Sequence, residues 1–379
     1  MTRFKLKCVY CGRSYDPSSR IWRCKCGKPL DVILELKDLE VDFRLLKGRE
    51  ASMWRYRELL PIPPKARIVT LGEGYTPVIV REVDGVRVTL KLDYLNPTGS
   101  FKDRGASVLV THLLGIGVKE IVEDSSGNAG AAMAAYSAVA GIKCKVFVPA
   151  DAPEGKKLQI ASYGAELVPV KGSRAQVGVA AMKEAEKAYY AGHTWNPFFL
   201  EGLKTVAYEY VEQRGGTPDL VLIPVGSGGL FLGVFKGFKE MLGLGLVDRM
   251  PRLMAVQAEG FTPVYDAMYG EYGRPVPELI LADGIAVPKP PRLEQVVKAI
   301  RETKGDVIIV NNKEILMAFK ELARMGLFVE PTSATVLAAL RRGLNEGVIE
   351  KGEEVYMPLT GIGLKAIDKL LKATSKGYL

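Results

Sequence analysis

The sequence predicts an α/β protein with two mostly parallel open sheets in two domains, preceded by a small cysteine-bearing extension. Three observations carry this reading. Short β-branched runs alternate with helical segments from Val118 onward, the pattern of βαβ units. The chain has 379 residues, too many for one small core. Four of its five cysteines fall between Cys8 and Cys26.

The cysteines come first. Cys8 and Cys11 form a Cys-x-x-Cys pair followed by Gly12, and Cys24 and Cys26 form a Cys-x-Cys pair followed by Gly27. Two such pairs about a dozen residues apart suit four thiolates around a tetrahedral zinc ion. So short a segment cannot bury enough apolar surface to fold alone, so a metal staple makes physical sense. Two disulfides, or a ribbon that has lost its metal, stay open alternatives. In each case the role is structural. Cys144 sits in an expected strand and reads as a small buried hydrophobe.

A charged connector, 31–67, follows the extension (1–30). It holds Trp54, Tyr56 and the run Leu60-Pro61-Ile62-Pro63-Pro64, and it is expected to wrap on the body rather than build a core. Strands are expected over 120–124, 144–149, 166–170 and 220–224. Helices are expected over 129–140, 156–163, 176–191 and 201–213. A smaller mobile domain, 105–196, is thus inserted into a larger one made of 68–104 and 197–379.

Composition narrows the function. Apolar content of 47% and charged content of 25% are those of a globular protein. The net charge of +9 favours anionic ligands, yet lysine and arginine alternate with acidic residues and no basic arm for nucleic acid stands out. The start lacks the apolar run of a signal peptide, and no stretch is long enough to span a bilayer. A cytoplasmic enzyme without nucleic-acid or membrane partners is therefore expected. The only histidines, His112 and His193, read as structural.

Four segments carry chemistry. Asn96-Pro97-Thr98-Gly99-Ser100-Phe101-Lys102-Asp103-Arg104-Gly105 places one lysine behind a turn and at the mouth of a helix. Lysine forms Schiff bases with carbonyl cofactors. Ser125-Ser126-Gly127-Asn128-Ala129-Gly130 lies between a strand and an Ala-rich helix, where hydroxyls and free N–H groups can hold a carboxylate. Simple helix capping by Ser126 or Asn128 competes with that reading. Gly226-Ser227-Gly228-Gly229-Leu230 follows a strand and can surround a phosphate with backbone N–H groups. Thr360, in Leu359-Thr360-Gly361-Ile362-Gly363-Leu364-Lys365, can hydrogen-bond a pyridine nitrogen or merely cap a helix.

The first segment closely resembles the cofactor-lysine motif of threonine synthases, enzymes that use pyridoxal phosphate. The other three follow in that family's order. Glu73-Gly74-Tyr75-Thr76-Pro77 and Glu330-Pro331-Thr332-Ser333-Ala334 resemble further family motifs, and the cysteine ribbon resembles the extension of many archaeal and bacterial members. The resemblance covers nearly the whole chain and implies the tryptophan-synthase β fold, fold type II. It implies Lys102 as Schiff-base residue and general acid/base. It also implies Asn128 on the cofactor's ring hydroxyl, the Gly226–Leu230 segment on its phosphate and Thr360 on its ring nitrogen. Ser125, Ser126, Gly127 and Ala129 would hold the carboxylate of a small anionic amino acid. Read from the residues themselves, Lys156, Lys157 and Arg174 are candidates to supply charge for its phosphate, with a solvated surface position the open alternative for each. A homodimer is implied as well.

The chain departs from the family at telling places. Val179 stands where an arginine is usual, with Arg174 nearby. Asn196-Pro197-Phe198-Phe199-Leu200-Glu201-Gly202-Leu203-Lys204-Thr205 carries Phe199 and Leu203 in place of polar residues. Ile362 replaces a usual histidine. The leading expectation is conversion of O-phospho-L-homoserine and water to L-threonine and phosphate. A threonine/serine dehydratase, which Ala282-Asp283-Gly284-Ile285-Ala286-Val287 resembles, and an O-phosphoserine β-replacement enzyme are the alternatives, as is a non-catalytic interaction protein that binds pyridoxal phosphate.

Overall fold

In the computed structural model, residues 3–375 are described except 38, 64, 65, 126, 151, 153 and 173, with Arg174 described by its backbone alone. The chain divides into two compact units. One comprises Met1–Tyr75 and Asn96–Thr205; the other comprises Thr76–Leu95 and Val206–Leu379. The segment 105–196 lies within the first unit, which also takes in the ribbon, the connector and residues 68–75, 96–104 and 197–205.

Among its described residues the first unit holds two sheets. In the ribbon, Phe4–Cys8 runs antiparallel between Ser14–Tyr15 and Leu30–Leu34. The second sheet is wholly parallel, in the order Glu166–Val170, Lys143–Pro149, Glu120–Glu123, Tyr189–Tyr190. The helix Asn128–Ala140 is buried along Ala129–Ser137. Its alanines make it apolar all round, which suits a helix enclosed by other elements. It ends at Gly141 with φ 68°, the left-handed stop that glycine adopts without strain. The connector does more than wrap: Met53, Trp54, Leu60 and Ile62 form a buried cluster with Val108. Trp54 Nε1 donates to Glu73 Oε1 at 2.8 Å, so its polar edge is not left unpaired.

Two sequence expectations change here. The helix expected over 176–191 runs from Arg174 to Glu184, and Tyr189–Tyr190 form an edge strand instead. Aromatic residues suit a pleated surface, and pairing with Ile121 and Val122 overrides the local helical pattern. The helix expected over 201–213 is two helices, Pro197–Leu203 and Thr205–Arg214. The Asn196 side chain accepts from Phe198 N and Pro197 opens the first turn, a strong start signal. The segment that carries His193 leads into the first of these helices.

The second unit has a six-stranded sheet. Its order is Val307–Val310, Arg252–Ala258, Leu220–Pro224, Glu354–Pro358, Val86–Lys91, Val78–Val83. All neighbours are parallel except the last pair. Leu220–Pro224 is buried throughout, as a central strand covered on both faces requires. Leu222, Val256, Val355 and Met357 pack with Val336 and Leu340 of the helix Pro331–Asn345 in one core. At the end of its strand, the wholly buried Lys91 Nζ meets Glu209 Oε2 at 2.6 Å, Thr76 O at 2.7 Å and Gln213 Oε1 at 2.8 Å. Its three protons are thus all used, which is what makes a buried ammonium tolerable.

Candidate active site

Lys102 is the first residue of the helix Lys102–Gly115. The turn ahead of it is locked by its own sequence. Gly99 has φ 86°, and its N–H donates to Asn96 O at 2.7 Å. The buried Asp103 carboxylate accepts from Thr98 N at 2.7 Å and from the Thr98 hydroxyl. An acid in the first turn also complements the helix dipole. Asn96 Oδ1 accepts from Gly74 N at 2.9 Å, so Gly74 is anchored to the same turn.

The half-buried Lys102 Nζ lies 4.8 Å from the Phe101 ring centroid and 5.9 Å from that of Phe199. Phe199 is buried in the helix Pro197–Leu203, against the lysine helix. Two glycines permit that approach. A Cβ on Gly105 would lie 2.4 Å from the Phe199 ring, and one on Gly202 would lie 1.9 Å from Arg104 O. Arg104 is itself buried and donates to Thr205 Oγ1 at 2.9 Å, while Lys204 and Glu201 form a buried ion pair at 2.7 Å. The apolar surface beside Lys102 is therefore a consequence of Phe199, one of the chain's departures from the family pattern.

The loop after Glu120–Glu123 brings Asn128 to the first turn of its helix, half-buried, with Gly127 at the cap position and no side-chain cap from it. Gly127 N donates to Ser125 Oγ at 3.3 Å. Gly130 admits no side chain, since a Cβ there would meet Ser125 O at 1.9 Å. Ser126 lies outside the described residues. Lys156 is half-buried in the helix Glu154–Ser162, and Gln159 of that helix donates to Thr98 O in the lysine turn at 3.1 Å. Arg174 begins the helix Arg174–Glu184, with its side chain outside the description; Val179 in the same helix is 68% exposed.

In the second unit, Gly228 caps the 15-residue helix Gly229–Gly243 with φ 86°. A Cβ on Gly226 would come 2.8 Å from Ile285 Cα, and one on Gly228 would come 2.5 Å from Val296 Cγ2. Both positions must therefore be bare backbone, and bare N–H groups at a long helix's start suit a phosphate. Ser227 and Gly229 are half-buried there, and Leu230 is buried. Thr360 is buried and caps no helix, because the following short helix Gly363–Ala366 is capped by Ile362. Its hydroxyl lies 2.9 Å from Ser333 Oγ and 3.5 Å from Glu330 Oε1. Sequence reasoning singled out Glu330–Ala334 as a motif but gave Ser333 no role; the signal available was its fixed place behind Pro331.

The ribbon gathers its cysteines. The Sγ atoms of Cys8, Cys11, Cys24 and Cys26 all lie within 4.8 Å of one another, and all four are free thiols. Burial works against a Cys24 thiolate, but hydrogen bonds from Tyr15 Oη, at 3.1 Å, and from the Cys26 amide bring its pKa down to about 6. A thiolate is the form that ligates metal. His112 stacks on Phe198 with centroids 3.5 Å apart, and burial pushes its pKa down to about 3. His193 Nδ1 lies 2.9 Å from Glu123 Oε1.

The model of the family described as pyridoxal-phosphate dependent enzyme matches residues 69–361, so the chain is a member of that class. The threonine synthase of Methanocaldococcus jannaschii is 36% identical over 384 residues, which cover 98% of this chain and 95% of that one. The threonine synthase of Methanosarcina acetivorans is 36% identical, covering 96% and 92%. Within its class, the chain belongs to the threonine synthase family. Among solved structures, a pyridoxal 5'-phosphate-dependent aspartate racemase superposes with a TM-score of 0.66 at 27% identity, covering 76% of this chain and 90% of that one. Fold type II, read from the motifs, is thereby established. Among the described residues, no helix is long and apolar enough to cross a membrane.

Proposed function

We propose that the chain is a carbon–oxygen lyase that converts O-phospho-L-homoserine and water to L-threonine and phosphate. The observation that carries this is the half-buried Lys102 at the mouth of a helix, behind a turn held by Asp103 and Asn96, in a chain of this family. Bound pyridoxal phosphate would supply the electron sink for charge developing beside the amino-acid Cα. The protein's residues do the rest. Lys102 Nζ would hold the cofactor, and its amine would take the proton at the substrate Cα and return protons later in the turnover. Asn128 donates to the cofactor's ring hydroxyl, and the backbone of Gly226, Ser227, Gly228, Gly229 and Leu230 holds its phosphate. Thr360 serves its ring nitrogen. Ser125, Ser126, Gly127 and Ala129 bind the substrate carboxylate at the start of a 13-residue helix, where the dipole favours an anion. Lys156 and Arg174 supply charge for the substrate phosphate.

The four cysteines hold a structural zinc ion, for which the clustering of their sulfurs speaks. The family resemblance supports a cytoplasmic homodimer. One observation favours a second reading, a threonine/serine dehydratase: buried Phe199, beside Lys102, replaces an arginine that could pair with a phosphate.

One assay separates the readings. Purified protein is offered O-phosphohomoserine, threonine, serine and O-phosphoserine in parallel. Threonine formed with stoichiometric phosphate is the expected result; keto acid from threonine or serine as the main product would refute it. Lys102→Ala is expected to abolish turnover and the visible absorbance of the bound cofactor.

A further inference from the structure

We propose that Ser333 is a positioning residue that makes the Thr360 hydroxyl a fixed donor toward the cofactor's pyridine nitrogen; this rests on Thr360 serving that nitrogen. Ser333 is 0% and Thr360 2% exposed, so water does not decide their hydrogen bonds. Ser333 lies in the first turn of the helix Pro331–Asn345, and Thr360 lies just past the strand Glu354–Pro358.

The proton count is closed. Ser333 Oγ accepts from Thr360 N at 2.9 Å and from Gly361 N at 2.9 Å. A serine hydroxyl has two lone pairs and one proton. Both lone pairs are taken by amides, so the proton has to be donated. Two acceptors lie within reach: Thr360 Oγ1 at 2.9 Å and Gly361 O at 3.3 Å. The shorter contact is the hydrogen bond of ordinary length, and Gly361 O already accepts from Glu330 N at 2.9 Å. Ser333 therefore donates to Thr360.

Thr360 Oγ1 is then an acceptor on one side, and its own proton must point elsewhere. Among the described residues its other partner is Glu330 Oε1, at 3.5 Å, the outer limit of a hydrogen bond. That proton is left for a better acceptor. A committed donor can serve only an unprotonated nitrogen, so Ser333, acting through Thr360, selects the neutral pyridine. Gly361 protects the arrangement: a Cβ there would lie 2.4 Å from the Glu330 carboxyl carbon and would disturb the turn that presents both amides to Ser333.

The test uses the full-length protein reconstituted with pyridoxal phosphate carrying 15N in the ring. The ring-nitrogen chemical shift and the cofactor dissociation constant are read together. In the wild type the nitrogen is expected to be unprotonated and hydrogen-bonded; a pyridinium in the resting enzyme would overturn the proposal. Thr360→Val should remove the hydrogen-bond shift and weaken cofactor binding about tenfold, the scale of one lost hydrogen bond. Ser333→Ala should move the shift in the same direction, and the double variant should be no worse than Thr360→Val alone. A shift that moves in Thr360→Val but not in Ser333→Ala, or losses that simply add in the double variant, refutes the role given to Ser333. A shift unmoved in Thr360→Val removes instead the reading of Thr360 on which the proposal stands. If Ser333→Ala does not fold, Ser333→Cys keeps the position with a weaker donor, and a wild-type shift in that variant refutes the proposal equally.

Discussion

Gly202→Ala is the sharpest perturbation of the site's frame. A Cβ at this position would lie 1.9 Å from Arg104 O, 2.4 Å from Arg104 C and 2.8 Å from Gly105 N. Carbon–oxygen contacts of this kind sit at roughly 3.3–3.6 Å. The obstructing atoms are backbone of the lysine helix, so no side-chain rotation relieves the overlap. The helices Lys102–Gly115 and Pro197–Leu203 would have to part by more than about 1 Å. Overpacking of a tight contact costs about 1–3 kcal/mol and here belongs at the top of that range. The gain in helix propensity from Gly to Ala returns about 1 kcal/mol. The net expectation is a loss of about 2 kcal/mol. Arg104 is two residues from Lys102, and a displacement of ~1 Å at a reacting group can cost about a hundredfold in rate. The assay is urea unfolding followed by fluorescence, paired with kcat. Gly155→Ala is the control: Gly155 is exposed in the helix Glu154–Ser162 with nothing within 4 Å of its Cβ position. It should be neutral or stabilising by up to about 1 kcal/mol. A Gly202→Ala variant as stable as this control would refute the backbone-to-backbone contact between the two helices.

Three further outcomes are expected. Glu209→Gln removes the carboxylate charge 2.6 Å from the wholly buried Lys91 ammonium and should cost about 3–5 kcal/mol in denaturant unfolding, whereas replacing both partners by apolar residues should cost far less. Because the folded pKa of His112 lies near 3, below the ordinary value of 6.5, the unfolded chain binds a proton that the folded chain refuses. That group's contribution is present above about pH 6.5 and is lost as pH falls toward about 3, by a few kcal/mol in all; His112→Gln should flatten the slope of melting temperature against pH in that window. Elemental analysis should find about one zinc per chain, four thiolates being one complete tetrahedral set. Chelation should lower the melting temperature, because the ribbon packs on the rest of its unit through Trp22, whose ring lies 4.5 Å from Tyr190, and Phe4, 6.1 Å from Phe198. A metal-free protein with an unchanged melting temperature would refute the zinc reading.

Much of this protein was legible in its sequence. The strands Glu166–Val170 and Leu220–Pro224 stand as read, because an apolar run between turn residues has few other uses. The lysine turn, the serine loop and the glycine loop were visible because each needs residues with unusual backbone freedom or capping chemistry at fixed spacing. Tyr189–Tyr190 was misread as helix because two residues carry too little periodicity to outweigh a long neighbouring pattern; only the partner strand decides them. The break after Leu203 was hidden in a stretch that is helix-favouring on both sides. The role offered for Ser333 could not be read at all, since it depends on which atoms share one buried oxygen.

By itself the sequence determined the class of chemistry. Lys102, the glycines of the Gly226–Leu230 loop and the paired cysteines are residue types whose covalent or conformational properties travel with them wherever the fold puts them. The tertiary structure alone decided the surroundings: that Phe199 lies beside Lys102, that Gly202 lets two helices touch backbone to backbone, and that the Ser333 and Thr360 hydroxyls lie 2.9 Å apart in a buried site. The physical reason is range. Backbone preference and side-chain chemistry act over a few residues of chain, whereas packing overlap and the satisfaction of buried polar atoms depend on atoms far apart in sequence and in contact only once the chain has folded.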